Sequence, residues 1–185
     1  EVIEIASVDM VKGGGITNPM HTFVAPGRPI PAMASSIHHI LDEDVKDAPP
    51  LEEAIERFKG ADALIAHNAD FERSWLTKHL GDMPWVCTFK VALRGYPLFE
   101  AHNLQFLRYQ LGIVTPFGIA RDQISPHRAA SDVIVTAAIF EVLAQKATWK
   151  EMLAWSDEPA LHTRLHFGKY RGQRYDEVDP SYIDW

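Results

Sequence analysis

The sequence predicts a single α/β domain built around a mixed β-sheet. Strand patterns at residues 2–11 and 17–24 follow each other directly, and later in the chain short strands alternate with helices. Strands followed by strands, and then strand-helix alternation, indicate a mixed sheet. A helical stretch at 129–147 is apolar almost all round, which predicts a central, buried helix.

Length and composition narrow the class of protein. At 185 residues the chain is long enough for one ordinary domain with a core and a small appendage. The net charge of −7 argues against a protein that coats nucleic acid electrostatically, but not against a nuclease, whose metal site is itself acidic. Cys87 is the single cysteine, which excludes an internal disulfide, and no segment resembles a secretion signal or membrane span. A cytoplasmic protein with no membrane partner is therefore expected.

The chain begins with a strand at 2–11, whose dense β-branched run predicts burial on both faces. Three glycines at 13–15 turn the chain into the second strand. The remaining predicted elements, in chain order, are an irregular proline-rich stretch at 25–31, helices at 32–40 and 51–59, a strand at 63–66, a helix from an Asn68 N-cap to about 79, a strand at 85–87, and helices at 89–94, 103–111 and 129–147.

Two short segments carry chemistry: HNADFE at 67–72 and HRAASD at 127–132. Each places an acidic side chain early in a predicted helix, with a histidine nearby. Hydrolysis of a phosphodiester needs carboxylates that hold divalent metal ions and a base that activates water. The two segments therefore predict part of a metal-dependent nuclease site.

Asp132 heads a helical face that continues through Thr136, Ile139 and Leu143. Burying a polar group without a partner costs about 2 to 7 kcal/mol, and burying an ion costs more, unless a metal or strong hydrogen bonds satisfy it. This position favours a metal-ligand role for Asp132. The alternative is that Asp132 only stabilises the amino terminus of its helix.

The pattern H-N-x-x-F-[DE], followed 60 residues later by H-x-x-x-x-D, resembles the DEDDh family of 3′-to-5′ exonucleases. VIEIASV at 2–8 is similar to the second strand of that family, and ASSIHHI at 34–40 is similar to its A-x-x-I-H-x-I segment. FGKYRG at 167–172 and DPSYI at 179–183 resemble a small module appended in the exodeoxyribonuclease X branch of the family.

The resemblance implies an RNase H-like fold, with an exonuclease domain at 1–156 and a small β-hairpin and helix module at 157–185. It implies release of nucleoside monophosphates by two Mg²⁺ or Mn²⁺ ions, about 3.5 to 4 Å apart. The expected partner is nucleic acid with a free 3′ end, and single-stranded DNA is favoured. The choice between DNA and RNA and between single and double strands stays open. The oligomeric state, including a homodimer, stays open.

The resemblance assigns Glu72 and Asp132 as metal ligands and His127 as the general base. Most family members have Asp at the position of Glu72, so this carboxylate reaches about 1.5 Å further. Asp70 competes with Glu72 in the sequence and is interpreted as a solvated first-turn acid. Pro126 predicts that His127 lies in the loop before its helix, from where it can take a proton from the attacking water.

The residues around these acids are expected to bind the substrate. Phe71 is expected to stack near the terminal base, and the alternative for Phe71 is core packing with Trp75. The side chains that the resemblance assigns to substrate binding are Ile37, His38, His67, Asn68 and Phe71.

Residues 162–175 contain four Lys or Arg and no acid within an acidic chain. Cations interleaved with aromatic rings suit single-stranded nucleic acid, because cations bind phosphates and rings stack on bases. Lys169 and Arg171 are therefore assigned to substrate binding. The alternative is a hairpin turned at 168–172, whose rings pack on the main domain and whose charges are solvated.

The first motif of the family, D-x-E on an opening strand, has no counterpart before Val2. We expect the natural protein to supply two further metal ligands and a central strand there, and the 185-residue chain alone to be inactive. The alternative is a swapped or remodelled sheet. Glu4 is not interpreted as a ligand, because the matching family acid is not one of the four catalytic carboxylates. The rival interpretation is a non-catalytic nucleic-acid-binding or interaction module on the same fold.

Overall fold

A computed structural model describes residues 2–11 and 13–184 and contains two pairs of strands. β1 (Glu4–Met10) and β2 (Ile16–Phe23) pair antiparallel. β3 (Leu64–Ala66) and β4 (Trp85–Cys87) pair in parallel. Within the described ranges, no β-ladder joins the first pair to the second.

Nine α-helices in the described part of the chain surround the strands, which confirms the expected mixed α/β class. The helices are α1 (Ala32–His38), α2 (Asp42–Val45), α3 (Leu51–Ala54), α4 (Asp70–Leu80), α5 (Thr88–Gly95), α6 (Leu104–Gln110), α7 (Ala129–Leu143), α8 (Trp149–Asp157) and α9 (Pro180–Asp184). The α3 helix continues as a 3-10 turn at Ile55–Phe58. Among the residues described, no helix is both long and apolar enough to cross a bilayer.

The predicted central helix is α7. Val135, Ile139 and Leu143 are fully buried on it and pack with residues from β4, α5, α6 and α8. Fully burying one such side chain stabilises the fold by about 1.5 to 3 kcal/mol, so α7 organises the larger core cluster. A second cluster, which includes Ile5 and Trp85, joins β1, the α3 region, α4 and β4.

The predicted burial of β1 on both faces is wrong. Ile5 and Ser7 are buried, and the residues between and beside them are only partly covered. Because successive side chains of a strand point to opposite faces, this alternation is that of a half-buried strand. The dense apolar run of β1 therefore indicates that one side of the strand faces the core, and not both.

Two helix boundaries also differ from the prediction. Asn68 is not the N-cap of α4, because it adopts a left-handed φ of 65° and Ala69 occupies the cap position. The predicted helix at 129–147 ends at Leu143, and the unpredicted α8 begins soon afterwards. Thr148 and Glu151 start α8 with a capping box, in which the Thr148 amide donates to Oε2 of Glu151 at 2.8 Å.

The C-terminal segment forms a hairpin-shaped loop followed by α9. A single antiparallel bridge joins Arg164 to Arg174, and the Leu165 amide donates to the Gln173 carbonyl at 2.9 Å. Gly168 has a φ of 73°, and a Cβ there would collide with the hydroxyl of Tyr182. The turn therefore requires glycine at this position.

Candidate active site

One cleft of about 620 Å³ collects most of the residues singled out in the sequence. β1, β3, α1, α4 and α7 all contribute to its lining. The sequence-predicted residues that line it are Ile37, His38, His67, Phe71, Glu72, His127 and Asp132. The other three, Asn68, Lys169 and Arg171, do not line it.

Glu72 lies in the first turn of α4 with its carboxyl group largely buried. Within the described part of the chain, its Oε2 atom is buried and has no hydrogen-bond partner. Burial raises the pKa of Glu72 to about 7, because the charged form loses its hydration. An orphaned carboxylate oxygen in a cleft fits a cation ligand, since a cation would compensate the lost hydration.

Asp132 lies in the first turn of α7, at the head of the buried face that the sequence predicts. Burial, with a smaller contribution from the nearby charge of Glu4, raises its pKa to about 6. The charge and backbone amide of His127 oppose this shift, as does the Gln105 amide, whose Nε2 is 3.5 Å from Oδ1. Asp132 and Glu72 are thus two partly desolvated carboxyls in the same cleft.

His127 lies in the turn before α7, as Pro126 predicts. It is exposed, and its φ of 62° falls in the left-handed region that side chains other than glycine rarely adopt. A strained residue of this kind persists only where its surroundings fix it. At the edge of the cleft, the imidazole can exchange a proton with both a bound molecule and the solvent.

The hydrogen bonds that Glu4 makes with the residues directly after His127 were not predicted from the sequence. Glu4 is almost fully buried and accepts hydrogen bonds from Nη2 of Arg128 at 2.8 Å and from the Ala129 amide at 2.8 Å. Nε2 of His21 lies 2.6 Å from its Oε1 atom. Burial would raise the pKa of Glu4, but these hydrogen bonds and the charge of Arg128 lower it. An acid within an apolar strand was the only sequence signal of this contact.

The two acids that compete in the first segment separate in the structure. Asp70 lies outside the cleft lining, and its Oδ2 is 3.0 Å from Nζ of Lys90. Phe71 is 60% exposed, so core packing with Trp75 is not its environment. Both rings line the cleft instead.

Two of the three histidines in the lining, His67 and His38, are held by short-range contacts. His67 is half-buried, the loss of hydration lowers its pKa to about 4, and its Nδ1 lies 2.9 Å from the hydroxyl of Thr88. The His67 ring is therefore neutral at neutral pH and forms a fixed wall of the cleft. Nδ1 of His38 accepts a hydrogen bond from the Ile40 amide at 3.0 Å.

The donor set for a metal is incomplete in the residues described. Across 2–11 and 13–184, no group of three or more His, Cys, Asp or Glu side chains is placed to hold a metal ion. Glu72 and Asp132 instead provide a pair of carboxyls in one cleft. These two carboxyls are half of the four that the resemblance to DEDDh exonucleases implies.

The sequence of this chain is similar to those of known proteins. The family model described as Exonuclease (RNase T) matches residues 1–140. Exodeoxyribonuclease 10 of Escherichia coli K12 is 36% identical over 190 residues, which cover 100% of this chain and 83% of that protein. The DNA polymerase III subunit epsilon-like protein of Rhodobacter capsulatus is 33% identical over 151 residues, which cover 76% of this chain and 20% of that protein.

A solved structure shares the fold. Exonuclease X in complex with 5′-overhanging duplex DNA matches with a TM-score of 0.69 and 34% identity, over 83% of this chain and 90% of that chain. The RNase H-like exonuclease fold and the resemblance to DEDDh exonucleases are thereby confirmed. The chain belongs to the RNase T family of exonucleases and is a hydrolytic exonuclease that acts on nucleic acid.

Proposed function

We propose that this chain is a metal-dependent 3′-to-5′ exonuclease that acts on DNA and prefers a single-stranded 3′ end. The observation that carries the proposal is the orphaned Oε2 atom of Glu72 in the same cleft as Asp132 and His127. The choice of DNA draws on the relative exodeoxyribonuclease 10 and on the exonuclease X complex with DNA.

Glu72 and Asp132 would hold Mg²⁺ or Mn²⁺, which supplies positive charge for the phosphate and for activation of water. The family pattern of four carboxylates supports two ions, with these two residues as half of the ligand set. A neighbouring positive charge lowers a carboxyl pKa, so Glu72 and Asp132 lose their protons when they act as ligands.

His127 is proposed as the general base. His127 and Asp132 line the same cleft, where the imidazole would take a proton from the attacking water. Since His127 is exposed, the proton that it accepts can leave to solvent without a further relay.

The 3′ end is proposed to enter between α1 and α4. Ile37, His38 and Phe71 line this side, and the exposed ring of Phe71 is available to stack on the terminal base. His67, held neutral by burial, forms the wall behind the base without adding charge.

Three residues assigned to substrate binding lie outside the cleft. They are proposed to contact the nucleic-acid strand beyond its terminal base. Asn68 is exposed at the start of the turn that leads into α4, where its amide is available to a sugar or phosphate oxygen. Lys169 and Arg171 are exposed on the C-terminal loop and are proposed to bind phosphates further from the 3′ end.

The test is an activity assay on the chain preceded by a D-x-E strand. Asp132→Ala is expected to abolish the EDTA-sensitive release of mononucleotides from a 5′-labelled single strand, and Glu72→Ala is expected to do the same. His127→Ala should slow the release by about 10² to 10⁴-fold. Asp70→Asn is the control and should keep near wild-type activity, because Asp70 lies outside the cleft lining. Near wild-type activity of Asp132→Ala would overturn the assignment.

A further inference from the structure

The α1 helix presents an apolar face beside the cleft, and the described residues leave this face largely exposed. None of its seven residues is buried. Met33 is 77% exposed and Ile37 is 51% exposed. Residues four apart share one helical face, so these two side chains lie next to each other, with their backbones about 6 Å apart along the axis.

The helix is fixed in place although it buries none of its own side chains. Ile40, two residues after the last residue of α1, is 1% exposed and anchors the end of the helix in the protein. The Ser35 hydroxyl donates to the Ile40 carbonyl at 2.9 Å, and the His39 amide donates to the Ser35 carbonyl at 2.8 Å. Met33 and Ile37 therefore form a preorganised surface rather than a loose segment.

This surface leads away from the acids. Ile37 and His38 line the cleft, whereas Met33 does not, so Met33 lies one helical turn further out. Neighbouring bases of a strand are spaced by about 3.4 Å, and one turn thus spans one to two bases. We propose that Met33 supports the second or third base from the 3′ end, beside the terminal base that Ile37 contacts. This inference rests on the proposed function.

The chemistry of the surface fits unpaired bases. The α1 helix has no acidic residue, although the chain has a net charge of −7, so a polyanion is not repelled by the helix itself. The sulfur of Met33 makes favourable contacts with flat aromatic rings, and such contacts do not depend on base identity. The face is continuous with the cleft through Ile37, which identifies the occupant as the strand whose end lies in that cleft.

The inference is tested by binding of 5′-labelled single strands in EDTA, which prevents hydrolysis. The chain preceded by a D-x-E strand is compared with its Met33→Ala variant, on normal DNA and on DNA that lacks the second and third bases. Met33→Ala should weaken binding of normal DNA by about two- to tenfold and leave binding of the base-lacking DNA unchanged. Leu98→Ala is the matched control, because Leu98 is 72% exposed and lies outside the cleft lining.

The melting temperature of Met33→Ala should equal that of the wild type, since the side chain is exposed. An equal loss of affinity on both DNAs, or no loss on either, would overturn the role of Met33 while the proposed function stands. If the wild-type protein binds neither DNA, the proposed function itself fails. The two failures are thereby distinguished.

Discussion

The carboxylate of Glu4 and the guanidinium of Arg128 meet across 124 residues of sequence, with Nη2 of Arg128 2.8 Å from Oε1. The Ala129 amide donates to Oε2 of the same carboxylate at 2.8 Å. Glu4 thus ties β1 to the start of α7, two residues after His127. This contact fixes the strained turn that carries the proposed base.

Glu4→Gln should weaken that tie and change the electrostatics of the site. Loss of charged hydrogen bonds at a nearly buried group is expected to cost about 1.5 to 3 kcal/mol of unfolding free energy. The pKa of Asp132 should fall, because the charge of Glu4 raises it. Denaturant titration measures the first effect, and NMR titration of the Asp132 carboxyl measures the second.

Glu56→Gln is the control for this prediction, because its pair with Lys59 is solvent-exposed and contributes about 0 to 1 kcal/mol. A loss of stability with an unchanged Asp132 pKa would reduce Glu4 to a purely structural role.

The stability of the metal-free protein should depend on pH through Glu72. Its pKa rises from 4.5 to about 7 in the fold, so between these values the folded chain holds a proton that the unfolded chain has lost. The free energy of unfolding therefore falls as the pH rises through this window. Asp132 adds a similar fall between pH 3.8 and about 6.

Unfolding in EDTA at several values between pH 5 and 8 measures this dependence. Glu72→Gln removes the titrating group and should flatten the fall, whereas Glu53→Gln, at an exposed position, should leave it unchanged. An identical pH dependence of stability in wild type and Glu72→Gln would contradict the claim that burial raises the pKa of Glu72 in the folded chain.

Magnesium binding should depend on ligands beyond this pair. Mg²⁺ binds oxygen ligands in octahedral geometry, and two carboxyls leave most of that geometry to water. Two carboxyls alone are therefore expected to bind Mg²⁺ weakly, and a D-x-E strand placed before Val2 should strengthen Mg²⁺ binding and increase EDTA-sensitive digestion. Calorimetry and nuclease assays measure both, with an A-x-A strand as the matched control. Equal Mg²⁺ affinity and equal digestion with the D-x-E strand and with the A-x-A strand would show that the ligands are misplaced.

Local patterns predicted the parts of this site that depend on local structure. Pro126 was enough to place His127 in a loop, and helical periodicity was enough to set Asp132 at the head of a buried face. The Glu4–Arg128 contact depends on how β1 packs against α7, and periodicity carries no information about such a pair. The prediction that Asn68 is the N-cap of α4 was wrong, because asparagine is favoured both at helix starts and in left-handed turns.

In the C-terminal loop, the charge of Lys169 touches the aromatic packing, whereas the charge of Arg171 does not. Lys169 places Nζ 5.0 Å from the centre of the Tyr170 ring, and Tyr170 packs against Tyr182 with ring centres 4.7 Å apart. Phe167 is 68% exposed, so it does not pack on the main domain as the alternative to substrate binding expected. Within the described residues, the Arg171 side chain has no hydrogen bond or ion pair, which leaves its charge available to a phosphate.

Changing Lys169 and Arg171 together to Ala should therefore weaken binding of single-stranded DNA without lowering the melting temperature. For single strands, removal of two phosphate contacts should reduce the slope of log K against log salt concentration by about 1.4. Gly168→Ala is the contrasting variant, because its Cβ would collide with Tyr182 at a φ of 73°, and it should lower the stability of the loop. Equilibrium binding over a salt series and thermal unfolding measure the two effects. Unchanged affinity in the double variant, together with a lower melting temperature, would assign the segment to folding instead of substrate binding.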